Sequence, residues 1–303
     1  MKFCYLILHY KNIKDTVKCV ESVRLTAPES MIVIVDNGSG DGTGVKLKEK
    51  YESELCHVLI QEDNLGFSKG NNAGYSWIRQ NSDVDYIVIC NNDVVFYQED
   101  FESRIEKIYM QEKFCILGPD IYIPRHKDHQ NPIFLKVITA DELEAELEEY
   151  RYYEAHPGKF NRRLKLHAFK NMLCSNVRLI GKIYSKIRGK DSIDYRKKYV
   201  NAGLQGSCLI FSRDFVEKED KAFEPEPFLY EEEVFLYCRC KEKGYKMVYS
   251  PEIAIRHEEA ASFNNSDKTN IEKIKFMLRH HVSAREMLLE YLLSSKEREK
   301  PDA

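Results

Sequence analysis

Residues 86–96 read YIVICNNDVVF, and how this stretch is interpreted decides the fold. Tyr86 to Cys90 is a short apolar run, the pattern of a buried strand. Asn91, Asn92 and Asp93 then stop it, and apolar residues resume at Val94. Asn and Asp tolerate tight backbone geometry and cap helices, so a plain turn accounts for the break. A strand ending in a ligand-bearing loop also accounts for it, and the other loops of the chain bear on the choice.

Working outward, the first 120 or so residues alternate regularly. FCYLILHY reads as a strand, Asn12 to Leu25 as a helix, and MIVIVD (31–36) as a second strand. A charged helix around 44–52, a strand HVLIQ (57–61) and a helix running to about Gln80 follow. YIVIC is then the fourth strand, with a helix from about Gln98 to Met110. Such alternation predicts an α/β fold with a mostly parallel sheet covered by helices on both faces. Ligands of such sheets bind beyond the carboxyl ends of the strands. The loops DNGSGDGTG, EDNLGFSKGNN and NNDVV all leave strand carboxyl ends, so they belong on one edge of one sheet.

The middle of the chain differs. DELEAELEEYRYYE (141–154) is acidic and helical, whereas residues 159–198 carry thirteen Lys/Arg against two Asp, with apolar residues interleaved. That is the pattern of a basic amphipathic helix. It reads either as a solvated insertion whose basic face pairs with the acidic segment or as a surface for anionic headgroups or a pyrophosphate-bearing acceptor. Strand-like sequence returns at GSCLIFS (206–212). Residues 227–257 read as a helix, a turn at Gly244 and a strand, and helix resumes after about Asp267. The apolar stripe of that last helix suits packing on the core, with subunit pairing or membrane contact as alternatives.

Bulk properties exclude several classes. With 303 residues, 43% hydrophobic and 31% charged, the chain has the composition of a folded globular protein. A net charge of −3 gives no general case for nucleic-acid binding. Nine cysteines fall largely in apolar strand-like runs, such as Cys4, Cys90 and Cys208, where a reduced thiol packs as a small hydrophobe. Cys238 and Cys240, two apart on a helix, make a poor metal pair. A reducing cytoplasm is the expected compartment. The opening MKFCYLILHYKN reads as a first strand rather than a secretion signal, and no run approaches the roughly 18 apolar residues of a membrane span.

The loops carry the chemistry. In VDNGSGDGT, Asp36 and Asn37 end a strand ahead of glycines whose backbone N–H groups can approach an anion or a ribose. NLGFSKGNNAG brings Asn64, Gly66, Lys69 and Asn72 to a helix start, which suits a phosphate. Neither GxxxxGK[ST] nor a GxGxxG after the first strand is present.

Taken in order, LILHYKN, IVIVDNGSGDGT, NLGFSKGNNAG, NNDVVF, GSCLIFSRDF and PFLYEEEVFLYCRCKEKGYKMVYSPEIAIRH resemble the family 2 glycosyltransferases, and within them the rhamnosyltransferase-like branch of bacterial cell-surface polysaccharide enzymes. The resemblance covers about residues 1–123 and 200–263, leaving 124–199 as a helical insertion and 264–303 as C-terminal helices and tail. It implies the GT-A fold, with a nucleotide-sugar-binding half (1–123) and an acceptor and catalytic half (200–263). It further implies inverting transfer of a sugar from a UDP- or dTDP-sugar to a hydroxyl of a glycan or lipid-linked oligosaccharide. On this resemblance Asp36 contacts the nucleoside, with Asn37 beside it. Asn64, Gly66, Lys69 and Asn72 border the nucleotide and its phosphates. Asn91-Asn92-Asp93 stands where the family has Asp-x-Asp, so Asn92 lies against the donor and Asp93 holds Mg²⁺ or Mn²⁺, a hard cation suited to carboxylate and phosphate oxygens. His257 matches a histidine that completes the metal site in some members, though an ordinary strand-end histidine reads the same. Asn91 replaces the first aspartate of the motif, leaving one protein carboxylate for the cation. Glu231-Glu232-Glu233 stands where the family ends in Glu-Asp, and alignment through Phe228-Leu229-Tyr230 puts Glu233 at the catalytic base, with Glu232 in reserve.

Neighbouring side chains on a helix diverge by about 100°, so the three glutamates cannot share one role. Acidic residues also favour helix N-termini without any catalytic reason. Two other functions fit parts of the pattern. A nucleotidyltransferase would want a Gly-rich, arginine-containing loop after the first strand, where HYKNIKD stands instead. A non-catalytic donor-binding subunit of a polysaccharide-assembly complex would bind the donor without releasing the diphosphate. Peripheral contact with the inner face of the plasma membrane and homodimer formation are further expectations.

Overall fold

The computed structural model describes residues 1–125, 127–164, 193–259 and 270–298. The chain divides into two compact units, one formed by 1–137 with 195–265 and the other by 138–194 with 266–303.

The first unit is built on β1 (Phe3–His9), β2 (Met31–Asp36), β3 (Cys56–Ile60) and β4 (Tyr86–Asn91), all parallel, in the order β3-β2-β1-β4. The near-continuous burial of β1, β2 and β4 explains why these three read as unbroken apolar runs, whereas the burial of β3 alternates. Helices α1 (Ile13–Thr26), α2 (Thr43–Tyr51) and α3 (Gly66–Asn81) make the crossovers, and α4 (Phe101–Glu112) follows β5 (Val94–Phe96). Asn12 caps α1 through its side chain, which accepts from the Asp15 N–H.

Past β4 the sheet turns mixed. β9 (Cys208–Ser212) lies antiparallel between β4 and β6 (Ile116–Ile123). β10 (Met247–His257) runs parallel to β6 and antiparallel to the edge strand β5. Two-residue strands β7 (Asp128–His129) and β8 (Tyr199–Val200) pair with β6 and β10. Separate apolar clusters fill the two faces, one around Tyr5, Val88 and Ile255, the other around Leu6, Phe211 and α6 (Glu232–Lys243). β5 and β6 have no counterpart in the expectations above. β5 is three residues long, and β6 contains Gly118-Pro119 where the β10 register shifts, a combination that reads as a loop. The eight described cysteines are all buried free thiols.

In the second unit the acidic segment is α5 (Ala140–Ala155), opened by a Thr139/Glu142 capping box. It packs against α7 (Asn270–Arg298), whose Ile274, Leu278, Val282 and Leu288 are buried. Arg151–Glu286 at 2.7 Å supports that pairing. Arg163, at the described edge of the basic stretch, pairs with Glu149. The amphipathic basic helix expected over the rest of that stretch lies outside the described residues. Among the described residues no helix is long and apolar enough to cross a membrane.

Candidate active site

The parallel strands end together at one rim, and the residues singled out from the sequence collect there. Asp36 is buried at the end of β2. Its Oδ1 accepts from the Ser39 N–H at 3.1 Å and from the Ser39 hydroxyl, while Oδ2 lies where a Cβ on Gly44 would come within 2.0 Å. Glycine at 44 is therefore what lets α2 start against this carboxylate. His9, at the end of β1, bridges the starts of α1 and α2 through Thr16 Oγ1 (2.6 Å) and Thr43 Oγ1 (2.9 Å), and burial lowers its basicity.

Asn37, Asn64 and Gly66 brace one another. Asn37 Nδ2 donates to Asn64 Oδ1 and to the Gly66 carbonyl, and its Oδ1 accepts from the Leu65 N–H. Asn64 Oδ1 also accepts from the Gly66 N–H at 2.9 Å, and the Phe67 N–H donates to the Phe228 carbonyl at 2.7 Å. The N–H groups of Leu65, Gly66 and Phe67 at the start of α3 are thus engaged by protein acceptors, and Lys69 beside them is exposed. Gly66 sits at φ +80°, and a Cβ would fall 2.3 Å from the Phe228 oxygen, so the α3 loop and the chain leading to α6 meet backbone to backbone. Asn72 is buried and makes three internal hydrogen bonds, to both backbone polar groups of Phe223 and to Glu226 Oε1. It braces the 223–226 loop.

At the end of β4 the turn Asn91-Asn92-Asp93 leads directly into β5. Asn92 Nδ2 donates to Thr16 Oγ1 (2.9 Å) and the Asn12 carbonyl (3.3 Å), fastening the turn to α1. Asp93 and His257 are joined through β5–β10 pairing, where His257 stands opposite Val94. The Asp93 Oδ1 lies 3.2 Å from His257 Nε2, and both side chains are about nine-tenths buried. His257 Nδ1 donates to Gln130 Oε1 at 2.8 Å, and Gln130 Nε2 donates to Glu259 Oε1 at 3.0 Å, which fixes the orientation of the amide. Gln130 thus turns Nε2 toward a carboxylate oxygen, and a ring nitrogen and a carboxylate facing each other at this distance are both groups that ligate a divalent cation. The pair therefore fits a divalent cation whose remaining ligands come from a bound molecule. Among the described residues no group of three or more His, Cys, Asp or Glu side chains is arranged to hold a metal without such a molecule.

The three glutamates open α6, and the helix separates them. Tyr230 and Glu231 both have positive φ, 72° and 63°, a conformation costing on the order of 1–3 kcal/mol per residue. Glu231 takes the N-cap position without a side-chain cap bond. Glu232 is buried, on the same side of α6 as Phe235, Leu236 and Arg239, and its Oε2 has no hydrogen-bond partner. Glu233 is half-buried, and its Oε1 accepts from the Gly206 N–H at 3.1 Å. Burial pushes both carboxyls above the ordinary glutamate range, and the Glu233 charge pushes Glu232 further. A carboxylate made more basic in this way is a better proton acceptor.

A continuous backbone and side-chain path joins these parts. The Asn91 N–H donates to the Ser207 carbonyl at 3.0 Å, which sets the 205–207 turn beside the 91–93 turn. Asn131 Oδ1 accepts from the Gln205 N–H at 2.9 Å, and its Nδ2 donates to the Pro119 carbonyl at 2.8 Å. Gln130 thus orients His257 while its neighbour Asn131 holds the turn whose Gly206 binds Glu233. Gln130, Asn131 and Gly206 were not expected from the sequence. KDHQNP carries only a turn signal, and Gly206 shows its use only once α6 is folded against it.

Residues 5–169 match the family model described as Glycosyl transferase family 2. The hyaluronan synthase of Streptococcus pyogenes is similar at 26% identity over 111 residues, which span 36% of this chain and 26% of the synthase. The chain thus matches only about a quarter of the length of that curated relative. Among solved structures, residues 1–349 of TarS from S. aureus superpose with a TM-score of 0.51 at 14% identity, covering 93% of this chain and 72% of that one. The same TarS fragment in complex with UDP-GlcNAc gives a TM-score of 0.51 at 13% identity, covering 97% and 72%. At these identities the likeness concerns the fold, an α/β sheet flanked by helices.

Proposed function

The chain belongs to glycosyl transferase family 2, and from that premise we propose that it transfers a sugar from a nucleoside-diphosphate donor, a UDP- or dTDP-sugar, to a hydroxyl of a glycan or lipid-linked oligosaccharide in the synthesis of a cell-surface polysaccharide. A rhamnosyl or related hexosyl group is the proposed cargo. One observation carries the reading: the hydrogen-bonded path from the Asp93–His257 pair, through Gln130 and Asn131, to the turn that holds Glu233. It supports reading the pair as the cation-holding group and Glu233 as the proton acceptor of a single site.

The proposed step is a single displacement with inversion. Glu233 takes the proton of the acceptor hydroxyl as its oxygen bonds to the anomeric carbon, and the bond from that carbon to the diphosphate breaks. The Gly206 N–H keeps the Glu233 carboxylate oriented, and partial burial keeps it basic. Asp93 and His257 would hold Mg²⁺ or Mn²⁺, which when bound offsets the charge growing on the departing diphosphate. Lys69 adds a positive charge at the start of α3. Asp36, by fixing the loop that follows β2, and Asn37, by fixing the loop that follows β3, shape the nucleoside end of the donor site.

A screen of UDP-, dTDP- and GDP-sugars with Mn²⁺ tests the reading. Slow, metal-dependent release of nucleoside diphosphate from a UDP- or dTDP-sugar is the expected result. Donor binding without any release would point to a scaffold subunit instead, and absence of binding to any of them would overturn the proposal.

A further inference from the structure

The sheet face opposite the Asp93–His257 pair carries a line of aromatic and planar polar side chains that the mechanism above does not use. Register places them together: Arg256 stands opposite Tyr122, Tyr122 opposite His129, and Arg256 also opposite Val95, two residues from Tyr97. The Arg256 guanidinium lies 4.8 Å from the centroid of the Tyr97 ring. The Tyr122 and His129 rings are 5.2 Å apart, and the His129 ring stacks on Tyr195 at 3.5 Å with an 8° interplanar angle. Asp120, two residues before Tyr122 on the same face, accepts from His129 Nδ1 at 2.7 Å. Burial and the charge of Asp120 push the Tyr97 phenol up. Tyr97 and Tyr195 are 43% and 36% exposed, so each end of the line keeps a ring partly open to solvent.

We propose that this line, from Tyr97 through Arg256, Tyr122 and His129 to Tyr195, is a carbohydrate-binding platform that seats the sugar chain of the acceptor. The inference rests on the function proposed above. Pyranose C–H groups carry partial positive charge and pack on the electron-rich face of an aromatic ring. Carboxylate, imidazole and guanidinium groups between the rings suit hydroxyls, which both donate and accept. A lipid surface would want a contiguous apolar patch, and a nucleic acid a basic one. Here the two guanidinium groups, Arg256 over Tyr97 and Arg196 over Tyr195, each lie against a ring, and Asp120 bonded to His129 interrupts the line with an acid. The platform is also continuous with the transfer site. His129, Gln130 and Asn131 are consecutive, serving in turn the platform, the His257 imidazole and the turn that holds Glu233. A sugar seated on the rings is therefore referenced to the base by three adjacent residues.

The test uses the full chain, fluorescently labelled, on an array of hexose- and N-acetylhexosamine-terminated oligosaccharides, in the presence of UDP and Mn²⁺. Tyr97→Leu and Tyr195→Leu are compared singly and together with Tyr97→Phe and Tyr195→Phe, and the thermal shift with UDP and Mn²⁺ is measured in parallel. The wild type and the Phe variants should retain at least one class of glycan. The double Leu variant should lose about tenfold or more in apparent affinity, the effect of one stacking contact, while its nucleotide shift stays. If the wild type retains no glycan, or if the double Leu variant loses less than that, the platform is refuted. The single variants keep the test decisive if one position disturbs folding. Ring-dependent glycan binding without any nucleotide shift in the wild type would defeat the donor reading and leave the platform standing.

Discussion

Substituting Glu233 by Gln tests the assignment of the base. The amide keeps the size of the side chain and an oxygen for the Gly206 N–H, so the local geometry should persist. What disappears is the proton acceptor, a loss of about 10²- to 10⁴-fold in rate, or roughly 3–5.5 kcal/mol of barrier. The structure places the expected loss at the upper end of that range. Glu232, the reserve candidate, lies about 100° away around the helix, buried beside Phe235 and Leu236. Stability should move the other way. Because the folded-state pKa of the Glu233 carboxyl is raised by burial, its ionisation opposes folding. That cost appears as pH rises above the unfolded-state value and reaches its full size above the folded-state value. Glu233→Gln should therefore melt at or above the wild-type temperature at neutral pH and lose this advantage in acid. Product formation from a nucleotide-sugar, followed by chromatography across pH 5–9, gives the activity. Thermal shift with nucleoside diphosphate and Mn²⁺ gives donor-site integrity. Wild-type turnover should rise with pH through an inflection above the ordinary glutamate range, and the variant should show no such inflection. A variant that keeps more than about a tenth of wild-type turnover would refute the assignment.

Two other outcomes follow from contacts outside the glutamate turn. Gln130→Leu removes the acceptor that fixes the His257 tautomer and should weaken Mn²⁺ dependence about 10- to 100-fold, read as the Mn²⁺ concentration at half-maximal donor hydrolysis; an unchanged value would exclude a cation at His257. Burial opposes the Glu219 charge, but hydrogen bonds from Lys243, Arg239 and Tyr245 outweigh it and hold the carboxyl down to about 2, against an ordinary 4.5. A depressed folded-state value stabilises above the unfolded-state pKa, and the benefit is lost as pH falls from about 4.5 toward 2; with Lys243 half in water it is at most about 3 kcal/mol. Glu219→Gln should accordingly lower the melting temperature at pH 7 and flatten its decline between pH 5 and 3, and an unaltered acid limb in calorimetry would contradict this.

Much of the first half of the molecule is determined by sequence alone. β1 to β4 appear where unbroken apolar runs occur, α1 starts at its asparagine cap, and the loops at the carboxyl ends share a rim. These features are local, since periodicity and capping depend on residues within a few positions of one another. Asp93 stands out by interrupting an apolar run, and the helix, Gly244 turn and strand of 227–257 are equally legible. The rest depends on pairings between distant segments. The insertion of β9 antiparallel between β4 and β6 puts Gly206 under Glu233, and the antiparallel fit of β5 on β10 puts His257 beside Asp93. Gln130 and Asn131 acquire their partners only when β7 folds back on β6. Asn72 spends both ends of its amide within the fold, and Asn64 spends its Oδ1 there, contacts that the residue types do not announce. An amide carries no mark in the sequence that tells a brace from a ligand contact. Only the register of non-local strands, set by burial of both sheet faces at once, decides which polar atoms are used internally and which are left to meet a substrate.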